Sequence, residues 1–518
     1  MRHLENSRRP RGITLVVYSL AVVLGAAQTV KPDARHVLPI QDAIVSGDLE
    51  QAERLLRAAL KEGSKDAGLV NLRGVLHAKR GELAAASEDF SLAVKLDPSL
   101  VPAWQNLGRA CQAESEQKPT AVACSQKAWE HVLVRQTADA EAVRGLALSL
   151  QRQGKYDESL QRLAHAENGT AELMIQCLDL AGLKRKKEAI AMATRLGQGQ
   201  DFGEGDLEAM GAAGPEVTVI LAEAIDKRGE LKESGLSRLA VAYEQTDRLS
   251  DARKELERAA AAEPNDERHL LELAHVAERQ NDREGALGYL GHARELAPND
   301  AQVHFLFGMV AAEMELPMEA KRSLERALEL SPENPDYNFA MGSVILTTRD
   351  ASTAAGYFEK FLAVRPESAR GHYALGLAEF SAGDYVRAKA QMQRVEEDRE
   401  VGGGAAFFLG RMARLEDQPD SAKKYLAKAI RLMPKFSESH TEMGRLLMRE
   451  GKMSEAENEL KRALELDSNS FQAHAQLSAL YSKLHDPRAA VESETLKKLD
   501  EERSKRAEMM LRGVEIRP

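Results

Sequence analysis

Residues 339–376 read FAMGSVILTTRDASTAAGYFEKFLAVRPESARGHYALG, and the pairs Met341-Gly342 and Leu375-Gly376 stand 34 residues apart. Working outward, the same step lands on Ala240, Ala274, Gly308, Gly410, Gly444 and Ser478, all small. Twelve residues after each small residue comes an alanine: Ala252, Ala286, Ala320, Ala354, Ala388, Ala422, Ala456 and Ala490. An apolar residue precedes each small one, as in Leu239, Phe307, Leu409 and Met443, and Pro264, Pro298, Pro332, Pro366 and Pro434 close their units. Each unit therefore carries two helix-period apolar patterns around a polar turn, with small residues where the two helices must approach and a proline where the second must stop. One such hairpin cannot bury both faces, so neighbours must stack. Ala, Leu, Glu, Lys and Arg dominate the composition, and an all-α solenoid is expected.

The pattern extends upstream. Trp104-Gln105-Asn106-Leu107-Gly108 follows a unit with Gly74, Ala86, Phe90, Ala93 and Pro98, and an earlier one with Ala52, Leu56 and Ala59. After Gly108 the phase slips by five residues and resumes at Leu146-Ala147, Gly154 and Tyr156. The whole resembles the tetratricopeptide repeat, whose signature places Trp, Leu-Gly, Ala, an aromatic and Pro over 34 residues. The resemblance covers roughly residues 36 to 490 and implies a superhelix of helix-turn-helix pairs in two blocks, 36–196 and 217–489. Between them, 197–216 holds six glycines and one proline, which predicts a flexible linker or long inter-repeat loop. The charged stretch 490–518 is expected to cap the end of the stack.

The first residues place Arg8, Arg9 and Arg11 before an apolar run from Ile13 to about Ala27, the layout of a secretory signal over residues 1–27. An uncleaved anchor is the alternative, and it is the one route to membrane contact. An exported protein, periplasmic, secreted or envelope-associated and bacterial, is the expectation. Removing residues 1–27 takes away Arg2, Arg8, Arg9, Arg11 and Glu5, a net +3, and moves the charge from −10 to −13. No basic stripe of the kind that neutralises phosphates is present, which argues against nucleic acid as a partner. The three cysteines lack metal-ligand spacing. Cys111 and Cys124 fall on consecutive helices of one repeat and either pair or stay buried as small apolar residues. Asn168-Gly169-Thr170 is a formal glycosylation sequon.

Motifs of chemistry are missing from the sequence: no His-Glu-x-x-His, no phosphate-binding Gly-Lys-Ser/Thr loop, no Gly-x-Ser-x-Gly elbow and no Cys-x-x-Cys. A non-enzymatic protein without a cofactor or metal is expected. His304, His372, His440 and His474 share the slot four before the small residue. Adjacent repeats hold that slot on the order of 10 Å apart, too far for a shared metal, so these rings are expected to pack at the repeat junction.

The family resemblance implies that the first helix of each unit lines a concave face, with the slots three before, one after and four after the small residue pointing into it. The first of these slots gives Phe305, Phe339, Tyr373 and Phe407 in four consecutive repeats. The others add Met309, Leu377, Arg411 and Arg445, then Leu346, Phe380 and Arg414, with Arg449 beside them. Such a strip suits an extended or helical peptide that inserts apolar side chains and presents carboxylates to the arginines. The competing reading is that the aromatics pack between repeats and that Glu438 and Glu442 balance the arginines. The Lys and Asn clamp of chaperone-binding members and the Asn ladder of members fused to sugar transferases are both missing from the corresponding slots. A protein-protein interaction scaffold is thus the expected function, and a carbohydrate-handling protein whose aromatics stack on a glycan is the alternative.

Overall fold

The computed structural model describes residues 34–514 apart from 62–65, 117 and 168; the expected leader at 1–27 and the sequon residue Asn168 lie outside the described residues. The chain divides into two compact units, one ending at Asn281 and the other starting at Asp282. The first contains α1 Ala34–Ser46, α2 Leu49–Lys61, α3 Ala67–Lys79, α4 Leu83–Leu96, α5 Val101–Glu114, α6 Ala121–Arg135, α7 Ala140–Arg152, α8 Tyr156–Leu163, α9 Thr170–Gly182, α10 Lys186–Gly197, α11 Glu204–Met210, α12 Pro215–Lys227, α13 Glu233–Gln245, α14 Leu249–Ala262 and α15 Glu267–Arg279. The second contains α16 Arg283–Leu296, α17 Ala301–Glu313, α18 Pro317–Leu330, α19 Pro335–Thr347, α20 Ala351–Val364, α21 Ala369–Ser381, α22 Tyr385–Arg394, α23 Gly402–Leu415, α24 Pro419–Leu432, α25 Ser437–Arg449, α26 Met453–Leu466, α27 Phe471–Lys483 and α28 Arg488–Val514. No strand occurs among the described residues, and none of their helices is long and apolar enough to cross a membrane.

The repeat is built as its spacing demands. Side chains from the second helix fill the space over the glycines of the first: Phe90 against Gly74, Leu324 against Gly308, Phe358 against Gly342, Met392 against Gly376, Leu426 against Gly410 and Leu460 against Gly444. A methyl at Gly342 would lie 2.8 Å from the Phe358 ring, so the small slot is a steric requirement. In the second unit the first helices also touch their counterparts one repeat on, as α17 does α19 and α19 does α21, whereas among the described residues its second helices make no comparable contact. Closer spacing of the first helices turns the inner face toward them.

The five-residue phase slip after Gly108 lies in the turn between α5 and α6. Trp129 takes the place that Phe90 fills one repeat earlier and lies over both Gly108 and Gly145. Ser125 replaces the usual alanine and donates to the Gly108 carbonyl at 3.3 Å. Cys111 and Cys124 are joined across this widened hairpin as a disulfide, with Cα atoms 5.9 Å apart.

The expected loop at 197–216 is instead structured. Phe202, Leu207 and Met210 are buried in it, α11 occupies its middle, and α12 begins at Pro215. Arg228 holds the segment by donating to the carbonyls of Gly197 and Gly199 at 3.3 Å and of Phe202 at 2.5 Å. High glycine content concealed three apolar anchors there. At the other end of the chain, α28 packs on α27, and Glu492 meets the His474 ring at 2.5 Å.

Candidate functional site

The aromatic three before each small residue stands at a joint between repeats. Phe305 on α17 stacks on Tyr337 of α19, centroids 4.8 Å apart. Phe339 meets Phe361 edge-on at 5.0 Å and lies under the Arg370 guanidinium of α21, 4.2 Å from its centroid. Tyr373 covers Gly404 of α23 so closely that a Cβ there would fall 2.8 Å from its Cζ. Phe407, only 5% exposed, packs edge-on to Phe436 at 5.1 Å. The expected open strip is thereby corrected: Phe407 is core, and Phe305, Phe339 and Tyr373 are half-buried and divide their surfaces between packing and solvent. Stacking brings the start of the next first helix over this slot, which a one-dimensional count of faces does not register.

Tyr373, Leu377 and Phe380 lie along one face of α21, all half-buried. The aromatic that joins them is Phe408, 5.0 Å from Phe380, 6.5 Å from Tyr373 and 5.2 Å from Phe407. Tyr385 extends the cluster, 5.3 Å from Phe380. Tyr373, Leu377, Phe380 and Phe408 rest on Met392, Leu409 and Met412. The cluster forms here because α22 has 10 residues where the neighbouring second helices have 14, and because glycines open α23. Gly403 and Gly404 admit Met433 and Tyr373 at distances no side chain would allow. Burial raises the Tyr373 hydroxyl above its ordinary pKa. Phe408 was legible only as the neighbour of Phe407, since the repeat phase favours the latter. Met309 and Leu346 are half-buried farther along the stack.

The four arginines separate by role. Glu442 is 4% exposed and faces three of them: Arg414 Nε at 2.9 Å, Arg445 Nη1 at 3.4 Å and Arg411 Nε at 3.9 Å. The Arg411 guanidinium lies 4.9 Å from the Phe380 centroid, 5.6 Å from Phe407 and 5.7 Å from Phe408, which joins the cationic and aromatic groups into one site. Arg449 instead donates to the Arg414 carbonyl at 3.1 Å and pairs with Asp417 at 2.6 Å. Arg279 does the same to the Glu244 carbonyl and Asp247 in the first unit, so this position caps the preceding first helix. Glu438 accepts a hydrogen bond from Ser437 at 3.2 Å and, among the described residues, makes no ion pair with the arginines.

A family model described as tetratricopeptide repeat matches residues 40–100, 305–363, 339–399 and 373–439, and a second such model matches 413–491. The chain is a multi-repeat tetratricopeptide-repeat protein. No curated protein matches it. Similar solved folds include YrrB, described as a TPR protein with an unusual peptide-binding site (23% identity, 35% of this chain and 92% of that one, TM-score 0.32). The APC/C hetero-tetramer Cut9-Hcn1 (11% identity, 87% of this chain and 96% of that one, TM-score 0.39) and yeast Tom70 (16%, 84% and 92%, 0.35) are also similar. These likenesses concern the fold. Tetratricopeptide repeats make the chain a protein-interaction scaffold, and the fold is one of typically non-catalytic proteins.

In this repeat protein the residue four before the small slot closes the inter-repeat turn. Trp104 donates to the Pro98 carbonyl at 3.0 Å and Asn338 to that of Pro332 at 2.9 Å. His304, His372 and His474 place Nε2 3.0, 2.8 and 3.1 Å from the carbonyls of Pro298, Pro366 and Ser468. These carbonyls lie in the turn two residues past the end of the second helix, and the side chain four before the small slot satisfies them. Glu263, Asp266 and His269 bring three donor atoms within 4.8 Å of one another. Arg268 forks onto Asp266, lowering its pKa to about 2, and His269 Nδ1 has no partner of the sort that orients a metal-binding imidazole, so the set fits a helix cap better than an ion. In the first unit the equivalent inner face is polar and self-paired, with Asn106 donating to Asn71 at 3.1 Å and Arg144 bridging to Glu172 at 2.9 Å.

Proposed function

We propose that this repeat protein is an exported, non-enzymatic scaffold that binds a partner protein through a peptide segment on the inner face of its second unit, across α21 and α23. The observation that carries the reading is the continuous half-buried apolar face of Tyr373, Leu377, Phe380 and Phe408 on first helices, with Arg411 laid over it. Aromatic and arginine side chains together are the composition of interface hot spots, and helical or extended peptides engage such grooves through apolar anchors. Export is supported by the arginine-then-apolar start of the sequence and by the Cys111–Cys124 pairing, which suits an oxidising compartment. The test is affinity capture from an envelope fraction with wild type and with Leu377→Glu, both checked for unchanged helicity. Partners retained by wild type and lost by the variant are expected; an identical set from both refutes the site.

A further inference from the structure

The arginine cluster has more cations than its surroundings neutralise. Among the described residues Glu442 is the one carboxylate within 4.0 Å of the Arg411, Arg414 and Arg445 guanidinia, so three positive charges face one negative charge, an excess of two in a chain whose net charge is −10. Arg414 is committed to Glu442 with its side chain 12% exposed. Arg445 is 44% exposed and reaches Glu442 through Nη1, and Arg411, 33% exposed, lies over Phe380 and beside Phe407 and Phe408 with its buried Nε unpaired, 3.9 Å from Glu442. Two guanidinium edges therefore remain at the surface, anchored from below by one buried carboxylate and from the side by aromatic rings. Anchoring removes side-chain freedom before any ligand arrives, and an apolar surround strengthens attraction for an anion.

We propose that Arg411 and Arg445 form a receptor for one carboxylate of the partner, so that the recognised segment carries an acidic group beside an aromatic or branched apolar residue that rests on Phe408 and Leu377. This rests on the groove reading above. A carboxylate accepts parallel hydrogen bonds from a guanidinium fork, and its charge offsets the local excess that Glu442 leaves. Glu442 is then a positioning residue, since it orients the forks without touching the ligand. The carboxylate is either an acidic side chain or a chain end, and the site's chemistry is the same for both.

The experiment is selection from a random dodecapeptide phage library on the full chain, on Arg411→Gln/Arg445→Gln and on Leu377→Glu. Wild type is expected to enrich peptides with Asp, Glu or a free end next to Leu, Ile, Phe or Trp. Synthetic copies should bind the double glutamine variant about 10- to 100-fold more weakly, the range for charge-assisted hydrogen bonds. Comparing free and amidated C-termini of those copies separates the two sources of the carboxylate. A pool enriched only in apolar residues, or an acidic pool that binds the double variant equally, overturns the receptor and leaves the groove standing. No enriched pool, or one indifferent to Leu377→Glu, overturns the groove and the receptor with it. Arg445→Gln alone, on an exposed side chain, supplies the same comparison if the double variant fails to fold.

Discussion

Replacing Glu379 by Gln should stabilise the protein by an amount that grows as pH rises from about 4.5 to about 7 and then levels off. Glu379 sits on α21 next to Phe380 and is 1% exposed. Its nearest cation is Arg387 Nε at 3.7 Å, and its Oε2 has no hydrogen-bond partner. Burial lifts its pKa from 4.5 to about 7, with Asp384 and Glu359 adding to the rise and Arg387 opposing it. A carboxyl with a raised folded pKa holds its proton more tightly in the folded state, so its contribution to stability is complete below about pH 4.5 and is lost as pH rises through about 7. The rise from 4.5 to about 7, at 1.36 kcal/mol per pH unit, gives about 3 kcal/mol, and burying a glutamine amide where Oε2 already lacks a partner offsets about 1 kcal/mol of it, which leaves about 2 kcal/mol. Gln keeps the shape and cannot ionise. Urea unfolding followed by circular dichroism at pH 5, 6, 7 and 8, with wild type and Glu379→Gln compared at each pH, should show a small difference at pH 5 that grows to about 2 kcal/mol in favour of the variant at pH 8. A difference independent of pH, or a variant less stable at pH 8, would refute the reasoning, because the Arg387 pairing would then outweigh desolvation.

Gly404→Ala places a methyl 2.8 Å from the Tyr373 ring and should cost about 1–3 kcal/mol in thermal or urea unfolding, with much of the loss recovered in a Gly404→Ala/Tyr373→Leu double variant. Arg349 holds φ 67° at the end of α19, and Arg349→Gly should raise the unfolding midpoint by an amount equivalent to about 1 kcal/mol, unlike a glycine placed inside a helix. Opening the disulfide by Cys111→Ser/Cys124→Ser releases a loop with sequence separation 13 and should lower stability by about 2–3 kcal/mol; wild type plus reductant should match it.

The fold was legible because steric demands recur. Gly308, Gly342 and Gly444 are glycine for one reason, the bulky residue sixteen positions on, and a reason repeated at a fixed step is visible without coordinates. The structured 197–216 segment was not visible because its anchors, Phe202, Leu207 and Met210, follow no repeat and lie among residues with turn chemistry. Nor does the boundary between Asn281 and Asp282 interrupt the repeat phase. At the candidate site, Leu377 and Phe380 occupy slots that the family resemblance places on the inner face. Phe407 and Phe408 were not distinguished, because their difference in burial depends on how the first helices of α21 and α23 approach. Arg449 was misplaced for a similar reason: its role as a cap requires the carbonyl of Arg414 from the previous repeat.

Regularity identifies the fold, and departures from it show where to look for function. Two departures are prominent. The widened α5–α6 hairpin is closed by Cys111–Cys124 and filled by Trp129, whose side chain is almost wholly buried. That departure is repaired by covalent and packing means and leaves little for a ligand. The shortened α22 and the glycines of α23 are handled differently. They draw α21 and α23 together until Tyr373 touches Gly404, yet they leave Phe380, Phe408 and Leu377 half-covered and bring Arg411 over the rings, with one buried carboxylate facing three guanidinia. A joint needed only for stability could have been sealed with aliphatic side chains, which neither leave aromatic surface in solvent nor concentrate like charges. The uncompensated charge and the uncovered rings occur at the same place on the inner face, and an acidic, apolar segment satisfies both.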